Sequence, residues 1–182
     1  MSIVGPRVGV VAVAPTGLTA VRDELLDLLR VCVASGASLG YLAPLSVVEA
    51  AQYWERLAAG VRDATVGLLV ARPQPSGEIV GTAQIRYETR SNARHRAEIS
   101  KVMVSPAHRG GGIASVLMDE VEALARRRSI SLLVLDTSEG PGGARRFYEL
   151  AGYTYAGGIP GFALDPDGTP AQNAIFYKEL AG

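Results

Sequence analysis

Cysteine is nearly absent from this sequence: Cys32 is the only one in 182 residues. That excludes an intramolecular disulfide framework and a cysteine-rich metal site. Histidine is scarce too, with only His95 and His108, so no metal centre is expected. An excess of charge of one sign is missing, since 18 Lys plus Arg balance 18 Asp plus Glu. Nucleic-acid binders normally carry a basic surplus, so no nucleic-acid partner is expected. No apolar run approaches the ~18 residues needed to span a bilayer, and no membrane partner is expected. Arg7 followed by the seven apolar residues Val8–Ala14 faintly resembles a signal peptide. One basic charge and so short a run fit poorly, and a first strand ended by Pro15 explains the pattern better. A cytoplasmic location is then the default, and the lone cysteine agrees with it.

What is present is an ordinary folded composition, with 48% hydrophobic and 20% charged residues. The length suits a single domain, 1–182, that buries roughly two-thirds of its unfolded surface. Residues 8–13 read as a buried strand. Leu18, Val21, Leu25, Leu28, Leu29 and Cys32 recur at helical spacing, so 17–34 reads as an amphipathic helix. Cys32 lies on its apolar face and reads as a small core residue. Ser46-Val47-Val48-Glu49 is a capping box that opens a helix over 46–59, with Gly60 as its stop. Strands are expected at 65–71 and 79–87, joined by a turn at 73–77, and at 95–104. A helix over 112–127 ends on Arg126, Arg127 and Arg128, where cations favour the helix C-terminal dipole. A strand over 131–135, a helix over 143–151, a strand from Gly152, a Gly/Pro-rich loop over 157–173 and a strand over 174–180 complete the chain. The order βααβββαβαββ implies an α/β fold with a mostly antiparallel sheet and one central parallel pair.

The chemistry concentrates in Lys101-Val102-Met103-Val104-Ser105-Pro106-Ala107-His108-Arg109-Gly110-Gly111-Gly112-Ile113-Ala114-Ser115. A strand enters a glycine-rich turn and passes directly into a helix. Unpaired N–H groups of the first helical turn carry partial positive charge and suit a phosphate. A Walker loop needs Gly-Lys-Ser/Thr, which is absent. The dinucleotide fingerprint is matched only by accident, because no ribose-binding acid follows.

Arg109-x-x-Gly112-x-Ala114 after Val104-x-Pro106 resembles the acetyl-CoA pyrophosphate motif of the GNAT acetyltransferase superfamily. Phe147-Tyr148-Glu149-Leu150-Ala151-Gly152-Tyr153 resembles the family's FY-x-x-x-G-[FY] run. The resemblance implies a GNAT-like fold with helices flanking the sheet and a splayed central parallel strand pair. It implies a cofactor core over about 95–155, followed by a loop and strand over 156–180. Acetyl-CoA would lie in the splay, against Val102, Met103 and Val104 and the amides of Arg109, Gly110, Gly111, Gly112, Ile113, Ala114 and Ser115. Acetyl would pass directly to an amine. An amine near pKa 10 is mostly protonated at neutral pH, so a carboxylate, or a water held by one, is expected nearby to take its proton.

Within the superfamily, Glu98–Glu122, Leu132–Thr137 and Phe147–Leu180 are similar to the acetyltransferases that confer tabtoxin resistance. Gly36-Ala37-Ser38, Gly40, Pro160-Gly161, Pro166-Asp167-Gly168 and Phe176-Tyr177-Lys178 belong to the same likeness. It implies Glu98 and Asp136 as bases, Tyr148 as the acid for the leaving thiolate, and a small amine, such as a toxin or antibiotic, as acceptor. Residues 138–146 depart from it and line the expected acceptor side. A protein N-acetyltransferase and a non-catalytic acyl-CoA sensor remain as alternatives. The oligomeric state is open, a homodimer included.

Overall fold

Two amphipathic helices cover one face of a sheet. The computed structural model describes residues 8–74, 77–139 and 144–181. Arg7, Pro75, Ser76 and residues 140–143 of the distinctive 138–146 segment lie outside the described residues. Strand β1 spans Val8–Ala12. Helix α1, Leu18–Ala34, buries Leu18, Val21, Leu25, Leu28, Leu29 and Cys32, as its spacing requires. Helix α2 spans Val47–Arg62, and its capping box is formed. The Ser46 hydroxyl accepts from the Glu49 amide at 3.1 Å, and the Glu49 carboxylate accepts from the Ser46 amide at 3.2 Å. The expected stop at Gly60 is passed. Val61 beyond it is buried, and tertiary burial outweighs the ~1 kcal/mol that glycine costs a helix. A Cβ at Gly60 would sit 2.5 Å from Val66, so that glycine serves close helix–sheet packing.

Strand β2, Val66–Pro73, alternates between two cores: Leu69 and Ala71 face one, and Val66, Leu68 and Val70 face the other. Burial on both faces explains its unbroken apolar sequence. β3 is Gly81–Tyr87 and β4 is Arg96–Val104. Then follow α3, Ile113–Arg127, β5, Leu132–Ser138, α4, Ala144–Leu150, and β6, Thr154–Gly157. The expected loop over 157–173 holds a two-stranded hairpin, β7 Ala163–Leu164 and β8 Pro170–Ala171. Strands that short leave no periodic trace in a sequence. β9 is Asn173–Glu179.

The main sheet has the order β1-β2-β3-β4-β5-β9-β6. Every neighbouring pair is antiparallel except β4–β5. One core joins α3 and Tyr148 of α4 to Ile85, Ile99, Leu133 and Phe176. The other packs α1 and α2 against Leu68, Val70 and Met103.

The parallel pair holds only at its start, where Arg96, Ala97 and Glu98 face Leu132, Leu133 and Val134. Beyond Glu98 the two strands separate. A bulge in β4 accompanies the separation: Gln84 faces Ser100 and Thr82 faces Met103, with a shift between them. Lys101 in the bulge has φ 50. Bulges sharpen local twist and break alternation. Strict alternation along β4 fails there. Glu98 and Val102 do not share a face: Glu98 is exposed, whereas Val102 packs against the α3-side core. The strand expected over 131–135 runs further, because antiparallel pairing with β9 carries β5 through Asp136 to Ser138.

Candidate active site

The β4–β5 splay opens into two adjoining cavities. The larger, of about 940 Å³, runs between the C-terminal end of α1, the end of β4 and the start of α3. Its walls include Cys32, Ser35–Leu39, Val102, Met103, Val104, Arg109, Gly110 and Ala114. Phe147 and Tyr148 of α4 and Asp165–Asp167 close the other side. The smaller cavity, of about 260 Å³, is lined by Glu98, Ser100, Lys101, Asp136, Phe162 and Gln172, among others. Ser38, Leu39, Val102, Thr137, Ser138 and Tyr148 line both.

One end of the larger cavity has the chemistry to receive an anion. Gly112 is the N-cap of α3 at φ 77, and no side chain caps the helix. Only glycine adopts that left-handed cap without strain. Amides of the first turn are therefore left without an intrahelical acceptor and gather partial positive charge. A Cβ at Gly110 or Gly112 would meet nothing within 4 Å, so open space lies beside that backbone. Arg109 does not point freely outward. Its Nη2 donates to Ser35 Oγ at 3.1 Å and its Nε to the Val104 carbonyl at 3.4 Å. The guanidinium thus joins the turn to the end of α1. The Cys32 thiol donates to the same carbonyl at 3.6 Å. Burial pushes that thiol up from its ordinary pKa, against the pull of Arg109, which suits packing rather than nucleophilic work.

Not every expected cofactor residue faces the cavity with its side chain. Ile113 is buried in the α3-side core and Met103 in the core beneath α1 and α2. Each has only its backbone to offer. Gly111, Gly112 and Ser115 do not line the cavity wall, whereas Val102, Val104, Arg109, Gly110 and Ala114 do.

Glu98 and Asp136 both line the smaller cavity, brought there from β4 and β5. Tyr148 stands at the junction, 8% exposed and wedged among Phe147, Tyr153 and Phe176 with ring centroids 5.1–6.0 Å apart. Among the described residues its hydroxyl has no hydrogen-bond partner. Burial, with the Asp136 charge adding to it, pushes the phenol pKa up to about 12. At neutral pH the tyrosine carries its proton, as a phenol at the ordinary 10.0 also would. Gly152, at φ 83, makes the turn that follows, where the Tyr153 amide bonds the Tyr148 carbonyl at 2.9 Å.

The family model for acetyltransferases of the GNAT family matches residues 37–153. The chain belongs to this family. It is 33% identical over 141 residues to a glucosamine 6-phosphate N-acetyltransferase of Trypanosoma brucei brucei, covering 71% of this chain and 91% of that protein. Solved structures agree on the fold. The Brucella melitensis ribosomal-protein-alanine N-acetyltransferase superposes with a TM-score of 0.74 at 23% identity, covering 94% of this chain and 99% of that one. The yncA protein of Salmonella typhimurium, solved with its cofactor acetyl-CoA, gives 0.75 at 17% identity, covering 96% and 94%.

Two parts of the candidate site had no signal in the sequence. Lys101 enters the smaller cavity because the β4 bulge turns it there. Its Nζ donates to the Leu39 carbonyl at 2.6 Å and lies 5.5 Å from the Tyr41 ring centroid. The Ser38–Leu39 wall is held by that bond. Nearby, the Ala43 amide donates to the Pro166 carbonyl at 2.9 Å and joins the two loops that flank the cavities. Among the described residues no cluster of three or more metal-ligating side chains occurs, and no helix is long and apolar enough to cross a membrane.

Proposed function

We propose that this GNAT protein transfers acetyl from acetyl-CoA directly to the amine of a small molecule. The observation that carries this reading is the pair of cavities meeting at Tyr148. One has the uncapped helix N-terminus and Arg109. The other has two carboxylates and is smaller than the ~300–1,000 Å³ usual for drug-sized ligands. Acetyl-CoA, when bound, supplies the acyl group as a thioester. Val102, Val104, Gly110, Ala114, Arg109 and the amides through Ser115 would hold it.

Asp136 and Glu98 attract the acceptor's ammonium and take the proton it must lose before it attacks. Tyr148 gives its phenolic proton to the departing sulfur. Ser38, Leu39 and Phe162 line the acceptor cavity. Its small size favours a small amine over a protein chain. The likeness to tabtoxin resistance acetyltransferases makes a β-lactam amino-acid toxin of the tabtoxinine kind one acceptor to try. We read the enzyme as cytoplasmic, with its single cysteine buried.

The test is incubation with acetyl-CoA and a panel of amines while free thiol is monitored, alongside calorimetry with CoA. Thiol release that depends on the amine is the expected result. Absence of acyl-CoA binding would sink the reading. A peptide acetylated faster than every small amine would replace it with protein acetylation.

A further inference from the structure

We propose that Lys101 selects acceptors that carry an anionic group, a carboxylate or a phosphate, beside the amine that is acetylated. This deepens the transferase reading and rests on it. The acceptor cavity of about 260 Å³ contains three charged residues: Glu98, Lys101 and Asp136. Two negative groups and one positive group in so small a space complement a zwitterion, with its ammonium toward the acids and its anion toward the lysine.

The lysine is held in place by its surroundings. It occupies the β4 bulge at φ 50, and its Nζ is fixed by the Leu39 carbonyl at 2.6 Å. An ammonium has three donors. Among the described residues Leu39 takes one, and no carboxylate lies within 4.0 Å to form an ion pair. A partly buried cation with donors to spare is matched best by an incoming anion. Burial pulls its pKa below the ordinary value, with Arg56 and Arg86 pulling the same way and Asp136 and Glu98 opposing. The same positive charge repels a second ammonium. Dicationic amines, such as a diaminoalkane, are disfavoured.

The experiment compares matched acceptors by kcat/KM. Amino acids and amino phosphates are each paired with the counterpart lacking the anion, for instance serine and phosphoethanolamine against ethanolamine, with putrescine as the dication. Anionic members are expected to exceed their counterparts by about 10–100-fold, the range of a hydrogen bond to a charged group. The carboxylate and phosphate arms show which anion is preferred. Lys101→Gln should bring the ratio near one, while Lys101→Arg keeps most of it. A lysine that only braced the Leu39 loop would lower all acceptors together and leave the ratio unchanged. Ratios at or below one in the unaltered protein, or an unchanged ratio in Lys101→Gln, overturn the inference and leave the transferase reading standing. If Lys101→Gln does not fold, the ratios of the unaltered protein decide alone. Acetyl-CoA binding with no acceptor turned over defeats both.

Discussion

Tyr148 is a buried phenol where the two cavities meet, and its proposed role as the acid rests on that place. Its ring is packed among three aromatics, and the residue lines both cavities. A pKa pushed up to about 12 keeps the proton on through the physiological range. Tyr148→Phe is expected to lower kcat by ~10²–10⁴-fold with little change in acetyl-CoA affinity. Asp136→Asn, which removes a proposed base, should fall in the same range. Single-turnover kinetics with calorimetry checks both, and unchanged rates would remove the residue from the assignment. The same raised pKa has a stability consequence. The folded phenol holds its proton more tightly than the unfolded one at 10.0. Its contribution is therefore complete below pH 10 and is lost as pH rises from 10 toward about 12. The loss is roughly 3 kcal/mol at most. Urea midpoints measured between pH 9 and 12 should decline less steeply in Tyr148→Phe than in the unaltered protein.

At the scale of elements, not every feature that stabilises the fold bears on the site. The Ser46–Glu49 capping box lies at the start of α2, away from both cavities. Ser46→Ala should cost about 1 kcal/mol in urea unfolding and leave kcat/KM unchanged. Gly112 is the opposite case, because its left-handed φ aims the first turn of α3. Gly112→Ala forces a side chain into that conformation at a cost of roughly 1 kcal/mol. It should also weaken acetyl-CoA binding, and calorimetry set beside unfolding shows whether the two effects travel together. These elements were legible in the sequence because each has a local cause: a capping box, a 3.6-residue stripe, an apolar run, a glycine turn. The elements that stayed hidden have non-local causes. The β4 bulge exists through its register with β3. The length of β5 depends on pairing with β9, and α2 outlasts Gly60 because Val61 finds a core. Arg109, Gly112 and Tyr148 were visible as motif positions. Lys101 was not, since nothing near it in the chain signals a left-handed lysine.

Across the whole molecule, the α3 side of the sheet is tied to the site through one buried carboxylate. Glu122 of α3 is 7% exposed. Lys178 of β9 donates to it at 2.6 Å, and Arg126 at 3.2 Å. Lys178 also donates to the Ala151 carbonyl at 2.9 Å, just beyond α4, and lies 5.2 Å from the Tyr153 ring centroid. Three separate elements are thereby joined at one ammonium, and the residues they fix adjoin Tyr148. Among the described residues, removing that ammonium leaves the carboxylate with the half-exposed Arg126 as its one ion-pair partner. An ion pair buried this far is expensive to break from one side, at about 3 kcal/mol. Lys178→Met should therefore destabilise by that order and also lower kcat, because the Ala151 end of α4 loses its anchor. Glu122→Gln added to Lys178→Met removes the stranded charge and should recover part of the stability. The lost kcat should not return, since the Ala151 bond stays broken. Urea unfolding of the two single variants and the double variant, with kcat measured on each, separates the two effects. A double variant no more stable than Lys178→Met would show that the stranded carboxylate is not the source of the loss.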